Sequence, residues 1–333
     1  MYDIRDFVRA VEKTIASHQL ATVGAYRRWI TQKPDNSRNM GLDPYGCADA
    51  ANILYTISQF PSGHDEREAW IKTLQSMQDS NTGLFRDNTH VEIHTTAHCI
   101  AALELFDALP RYPVNTLSQY KTPEAMEKFL DQLDWQHNPW GDSHRGAGLY
   151  VSLVLSQEVS SEWEDRYFDW LYKNTDPETG FLRKGSITQS CNEHDIFPHL
   201  AGSFHYLFNQ QYARRPLPYP DAMVNSCLEI FNSNCYPLGD SIGFAEIDWV
   251  FCLTRSVRQC GHRHSEAVRA LMEFTDTYIP FLLELDPMTH DDLNDLHSLF
   301  GTMCCLAELQ TALPGVIKTE RPLRLVLDRR PFI

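Results

Sequence analysis

Carboxylates and histidines gather at recurring places in this chain of 333 residues. The densest run is Asp291-Asp292-Leu293-Asn294-Asp295. On a helix, positions i and i+4 share a face, so Asp291 and Asp295 would point the same way with Asp292 beside them. Such hard oxygen donors suit Mg²⁺ and could bridge it to a diphosphate. Glu246 and Asp248 add two carboxylates just before the aromatics Trp249 and Phe251. Glu193, His194, Asp195 and His199 form a second titratable cluster, with Phe197 and Phe204 at helical spacing. Carboxylates beside aromatics serve two chemistries: stacking a sugar between an acid and a base, or facing a carbocation beneath a metal-bound leaving group. His90, His94 and His98 recur every four residues, but neither HExxH nor a cysteine pair accompanies them to specify zinc. His98 reads as a hydrogen-bonded core imidazole, and His94, nearer a helix start, as an acid or base.

The elements that must position these groups follow from a repeat. QDSNTGLF at 78 to 85 and TDPETGFL at 175 to 182 are both helix, turn, helix junctions with a glycine where the turn needs positive φ. Six apolar segments rich in Ala, Gly, Ser and Cys alternate with amphipathic ones such as HDEREAWIKTLQSM. Their starts, near residues 46, 93, 144, 194, 246 and 293, are spaced by about 50 residues, room for two helices and two loops. Six buried and six amphipathic helices predict an all-α fold, an (α/α)6 toroid of two concentric rings closing as one domain over 1–333. Caps are expected at Thr122 before Pro123 and at Ser161 with Glu164 as a capping box. Only RPLRLVLDRR near the end alternates like a strand.

Titratable groups sit near every buried-helix start: Asp43 and Asp49, Glu92 and His94, Asp142 with His144 and Arg145, the Glu193 cluster, Glu246 and Asp248, and Asp291 to His297. A ring would bring them to one mouth. Acidic residues also favour helix amino ends through capping and the macrodipole, a structural reason with no chemistry in it.

Composition removes other classes. A net charge of −15 disfavours nucleic acid and anionic membranes, and no basic stripe appears. No segment has the length of an apolar span or signal, and nine scattered cysteines resemble no disulfide framework. The expectation is a cytoplasmic protein acting on a small molecule, without GxSxG, GxxxxGK[ST] or GxGxxG.

LQSMQDSNTGLF followed by HTTAHCIAALELF resembles the repeat of the terpenoid cyclase and protein prenyltransferase toroids, where a Gln-Asp/Asn turn with Gly and Phe leads to His and Thr opening an Ala-rich inner helix. The match is good over Trp70 to Phe106 and fair over Trp163 to Phe208; the Asp-x-Asp-Asp run of proton-initiated cyclases and the prenyltransferase zinc ligands are missing. DDLND is similar to the Asp-Asp-x-x-Asp motif with which ionisation-initiated cyclases hold magnesium. The resemblance implies a Mg²⁺-dependent cyclase of an isoprenoid diphosphate. Asp291, Asp292, Asp295 and Glu246 would hold metal, and Arg145 and Arg255 the diphosphate. Phe197, Phe204, Trp249 and Phe251 would line the cation pocket, with Glu193, His194, Asp248 and His94 as catalytic groups. Six-hairpin glycosidases and lyases share the architecture, and there Glu193 and Asp248 would be the carboxylate pair. A helical scaffold for protein partners is the third reading.

Overall fold

The computed structural model describes residues 1–187 and 196–333. Among them twelve α-helices alternate between two burial patterns. The even helices, α2 (Pro44–Thr56), α4 (Glu92–Leu105), α6 (Pro139–Val154), α8 (Phe197–Tyr212), α10 (Ala245–Cys260) and α12 (Leu296–Ala312), are buried along most of their length. The odd helices, α1 (Arg5–His18), α3 (His64–Ser76), α5 (Pro123–Asp131), α7 (Ser161–Asn174), α9 (Pro220–Ser233) and α11 (His264–Leu283), bury one stripe. In α7 that stripe is Trp163, Tyr167, Phe168, Trp170 and Leu171. A helix apolar on all sides must be covered all round, whereas an amphipathic one covers with one face and meets water with the other. Among the described residues the sheet is a single pairing of β1 (Tyr2–Asp3) with β2 (Ile317–Lys318), parallel. No helix is long and apolar enough to cross a membrane among the described residues.

Each even helix packs on the next, α2 on α4, α4 on α6, α6 on α8, α8 on α10 and α10 on α12, and α12 packs back on α2. The contacts therefore form a closed cycle of six. Small residues set its tightness: a Cβ at Gly202 of α8 would stand 2.8 Å from the Pro139 carbonyl oxygen at the start of α6, backbone that cannot step aside. In the QDSNTGLF turn Gly83 has φ +75°, and a Cβ there would meet the Pro113 carbonyl at 1.9 Å. Gly180 in the TDPETGFL turn has the same φ, so the two related segments make related turns.

Four local expectations change. Proline fits the first helical position and draws α6 back to Pro139, five residues earlier than anticipated. Ser160, not Ser161, caps α7 by accepting from the Trp163 N–H, and Glu164 receives the Tyr150 hydroxyl at 2.5 Å instead of closing a capping box. RPLRLVLDRR is no strand: Val326–Asp328 is a 3-10 turn, and its apolar residues pack inward because the segment crosses the even helices. Arg324 N–H donates to the Thr56 carbonyl of α2, and the Pro331 carbonyl accepts from Asn209 Nδ2 of α8 at 2.9 Å. Finally, DDLND forms turns before α12, with Asp295 as the N-cap accepting from His297 N–H at 3.0 Å. Its carboxylates consequently do not share a helix face.

Candidate functional site

The even helices and the segments leading into them converge on a cavity of about 200 Å³ lined by His90, His94, His144, His205 and His297, with Arg28, Trp140, Phe244 and Ile333 in its walls. His94 and His297 lie in the first turns of α4 and α12, His144 in the second turn of α6, and His205 in the third turn of α8. One nitrogen from each of His94, His144 and His205 lies within 4.8 Å of the other two. His90 stacks on His94 with ring centroids 5.0 Å apart, and the rings of His144 and His205 meet at 4.6 Å.

Four of the five imidazoles are held at Nδ1. His205 Nδ1 lies 2.9 Å from Ser143 Oγ, whose own proton goes to the Trp140 carbonyl, so the imidazole is the donor. His297 Nδ1 is 3.2 Å from Asp49 Oδ1, and His90 Nδ1 is 3.3 Å from Asp87 Oδ2. A carboxylate can only accept, so these imidazoles also donate and keep the Nε2 lone pair. His94 Nδ1 bonds the Tyr45 hydroxyl. Tyr45, fully buried, lies between the parallel rings of His90 and His98 at 4.3 and 4.5 Å. Burial pushes the pKa values of His94 and His205 well below the ordinary value and that of His144 to about 3, with neighbouring imidazoles pushing the same way. These rings are neutral at pH 7.

A second trio lies beneath. Asp49 Oδ1 accepts from His98 Nε2 at 2.8 Å as well as from His297, which makes His98 the hydrogen-bonded core imidazole expected. Burial opposes ionisation of Asp49, but His297 and His98 hold its pKa below the carboxylate range. The buried guanidinium of Arg330 stands 3.3 Å from His98 Nδ1. A cation among Asp49, His98 and His297 would therefore face another buried cation, and hydrogen bonding already explains the trio.

Carboxylates and guanidiniums form the outer shell. Arg28 donates to both oxygens of Asp295, at 2.7 and 2.8 Å, and to Thr89 Oγ1 at 2.7 Å, and its Nη1 stands 3.8 Å from Asp87. Asp49, Asp87 and Asp295 against Arg28 and Arg330 leave the surroundings one negative charge in excess.

The expected residues are dispersed. Of the anticipated catalytic groups His94 lines the cavity; Glu193 and His194 lie outside the described residues. Asp248 is wholly buried in α10, neither carboxylate oxygen has a partner among the described residues, and burial raises its pKa well above the usual range. Among the anticipated metal ligands, Asp291 is exposed and bound by Arg38 at 2.6 and 2.7 Å, Asp292 is exposed, Asp295 serves Arg28, and Glu246 accepts from Ser241 Oγ at 2.8 Å. Glu92 is half-exposed beside Arg86, 2.5 Å away. Arg145 reaches Asp142 at 3.5 Å, and Arg255 is buried between Glu308 and Asp328, in a separate cleft of about 430 Å³ between α10, α11 and α12. The aromatics are packing residues: Phe197 stacks on Tyr236, Phe204 meets Phe251 edge-on, and Trp249 turns outward to Phe231 and Phe274 and donates to the Cys227 carbonyl.

Arg28, Tyr45, Asp87 and His205 were missed. Arg28 and Asp87 lie in loops of no recognisable motif, Tyr45 opens α2, and His205 sits mid-helix among aromatics; only its convergence with distant histidines distinguishes it. Comparison with protein-family models, curated protein sequences and solved structures gives no significant match to this chain.

Proposed function

We propose that the protein is a toroidal (α/α)6 enzyme of one domain that abstracts a proton from a small hydroxylated substrate, in a lyase or isomerase reaction, at the histidine cavity. The closed cycle of even helices supports the toroid. The observation that carries the chemistry is His297: it lines the cavity, and Asp49 accepts its Nδ1 proton, leaving Nε2 unprotonated. The arrangement is that of a base oriented by a buried carboxylate, which fixes the tautomer and stabilises the imidazolium formed on proton uptake.

In this mechanism His297 Nε2 takes the proton from a substrate carbon, and Asp49 offsets the charge gained. His90, anchored by Asp87, contributes a second cavity-facing imidazole. The cavity is smaller than the roughly 300–1,000 Å³ of sites that enclose drug-sized ligands, and five histidines and Arg28 line it, which favours a sugar-sized or smaller polar substrate. A prenyl diphosphate has less support, since three of its four anticipated metal ligands have protein partners of their own.

Incubation in D₂O with a panel of small hydroxy acids, uronates and sugars, read by loss of C–H proton signals, tests this directly. Exchange is expected for at least one member and should fall at least about 100-fold in His297→Gln, within the usual range for removing a general base. Because burial lowers the His297 pKa, the acid limb of the rate should lie below about pH 6.5, with a plateau above it. Exchange that survives in His297→Gln, or turnover confined to prenyl diphosphates run in parallel, overturns the reading.

A further inference from the structure

We infer that His94, His144 and His205 hold one divalent first-row transition metal ion, of the Zn²⁺ class, through nitrogen lone pairs facing the cavity. The inference builds on the same cavity as an active site, yet its test needs no turnover. Each ligand comes from a different even helix, and the three nitrogens lie within 4.8 Å of one another, a spread that small side-chain adjustments bring to a metal–nitrogen distance of about 2.1 Å.

Three features point to a cation. One nitrogen from each of three imidazoles on three helices lies in one cluster, and burial keeps the rings neutral, so their lone pairs are available to a cation. Ser143 and Tyr45 each occupy Nδ1, of His205 and His94 respectively, so a metal would take Nε2, with the outer groups orienting the imidazoles. The excess of carboxylates over guanidiniums around the cavity offsets part of a double positive charge. Three neutral imidazoles select Zn²⁺, Co²⁺ or Ni²⁺ over Mg²⁺, which prefers oxygen donors, and leave a fourth position open to water or substrate. The bound ion would act as a Lewis acid on a substrate oxygen next to the carbon that His297 deprotonates.

The test is Co²⁺ titration of the chelator-treated full-length chain, followed by visible absorption and by metal analysis after gel filtration. One Co²⁺ per chain with the intense bands of a four-coordinate site is expected. His205→Gln and His144→Gln should each weaken binding at least about 100-fold, and Ser143→Ala about 10- to 100-fold. His144 has no hydrogen-bond partner among the described residues, so its variant keeps the fold where His205→Gln fails to, as thermal melts by circular dichroism will show. Asp49→Asn should leave the stoichiometry unchanged. Absence of Co²⁺ binding, or binding lost in Asp49→Asn and retained in His144→Gln, overturns the assignment. Metal binding without deuterium exchange would sink the catalytic proposal alone, and exchange by a protein that binds no Co²⁺ the metal assignment alone.

Discussion

Asp295 and Asp291 share one short run and have opposite fates. Asp295 binds a guanidinium with 7% side-chain exposure in a two-toothed pair, while the Asp291 side chain is 59% exposed. Breaking a buried pair strands a charge, whereas an exposed pair contributes little. Asp295→Asn should therefore cost about 3 kcal/mol in urea unfolding, although asparagine still caps the helix. Asp291→Asn should cost less than about 1 kcal/mol. Equal losses in the two variants would show that Arg28 does not depend on Asp295. The same logic governs the histidines: their value lies less in their type than in which ring nitrogen an oxygen partner has claimed.

At the scale of the element, the first turn of α10 carries an unresolved cost. Asp248 has no partner for either oxygen among the described residues, and burial raises its pKa. Above the unfolded value of about 4, the unfolded chain releases this proton while the folded one keeps it. The folded state then binds more protons, so its stability falls as pH rises until the raised folded pKa is passed. Asp248→Asn removes that dependence. Relative to wild type it should gain up to about 1.4 kcal/mol per pH unit above pH 4, measured by urea melts at pH 4.5 and 7. A gain independent of pH would mean that Asp248 is ionised in the fold. Elsewhere the helix starts behave as the macrodipole requires: Asp43 and Asp295 accept backbone N–H groups as caps, so part of the acidic pattern is structural.

For the whole molecule, the segment from Arg324 to Ile333 ties the even helices together from within. Arg330 reaches His98 of α4 and Phe300 of α12, and the buried Phe332 ring packs on His94 and Phe208. Phe332→Ala should cost about 3–5 kcal/mol, the range for emptying a buried aromatic site, and should disturb His94 as well. Thermal melts and the Co²⁺ spectrum will read the two effects; an unchanged melting temperature would show that this segment does not brace the even helices. The alternation of buried and amphipathic helices was legible in the sequence because each depends only on local periodicity, and five of the six buried-helix starts were placed within three residues. Turns such as QDSNTGLF were legible too, since positive φ at Gly83 is a local demand. What tertiary structure decided is which titratable groups meet. Arg28 and Asp295 are separated by 267 positions and His205 and Ser143 by 62. Motif spacing reports neighbours along one helix, whereas the packing of the even helices on one another sets neighbours between helices, and there Arg28 took Asp295 while Asp49 and Asp87 anchored His297 and His90 at the cavity.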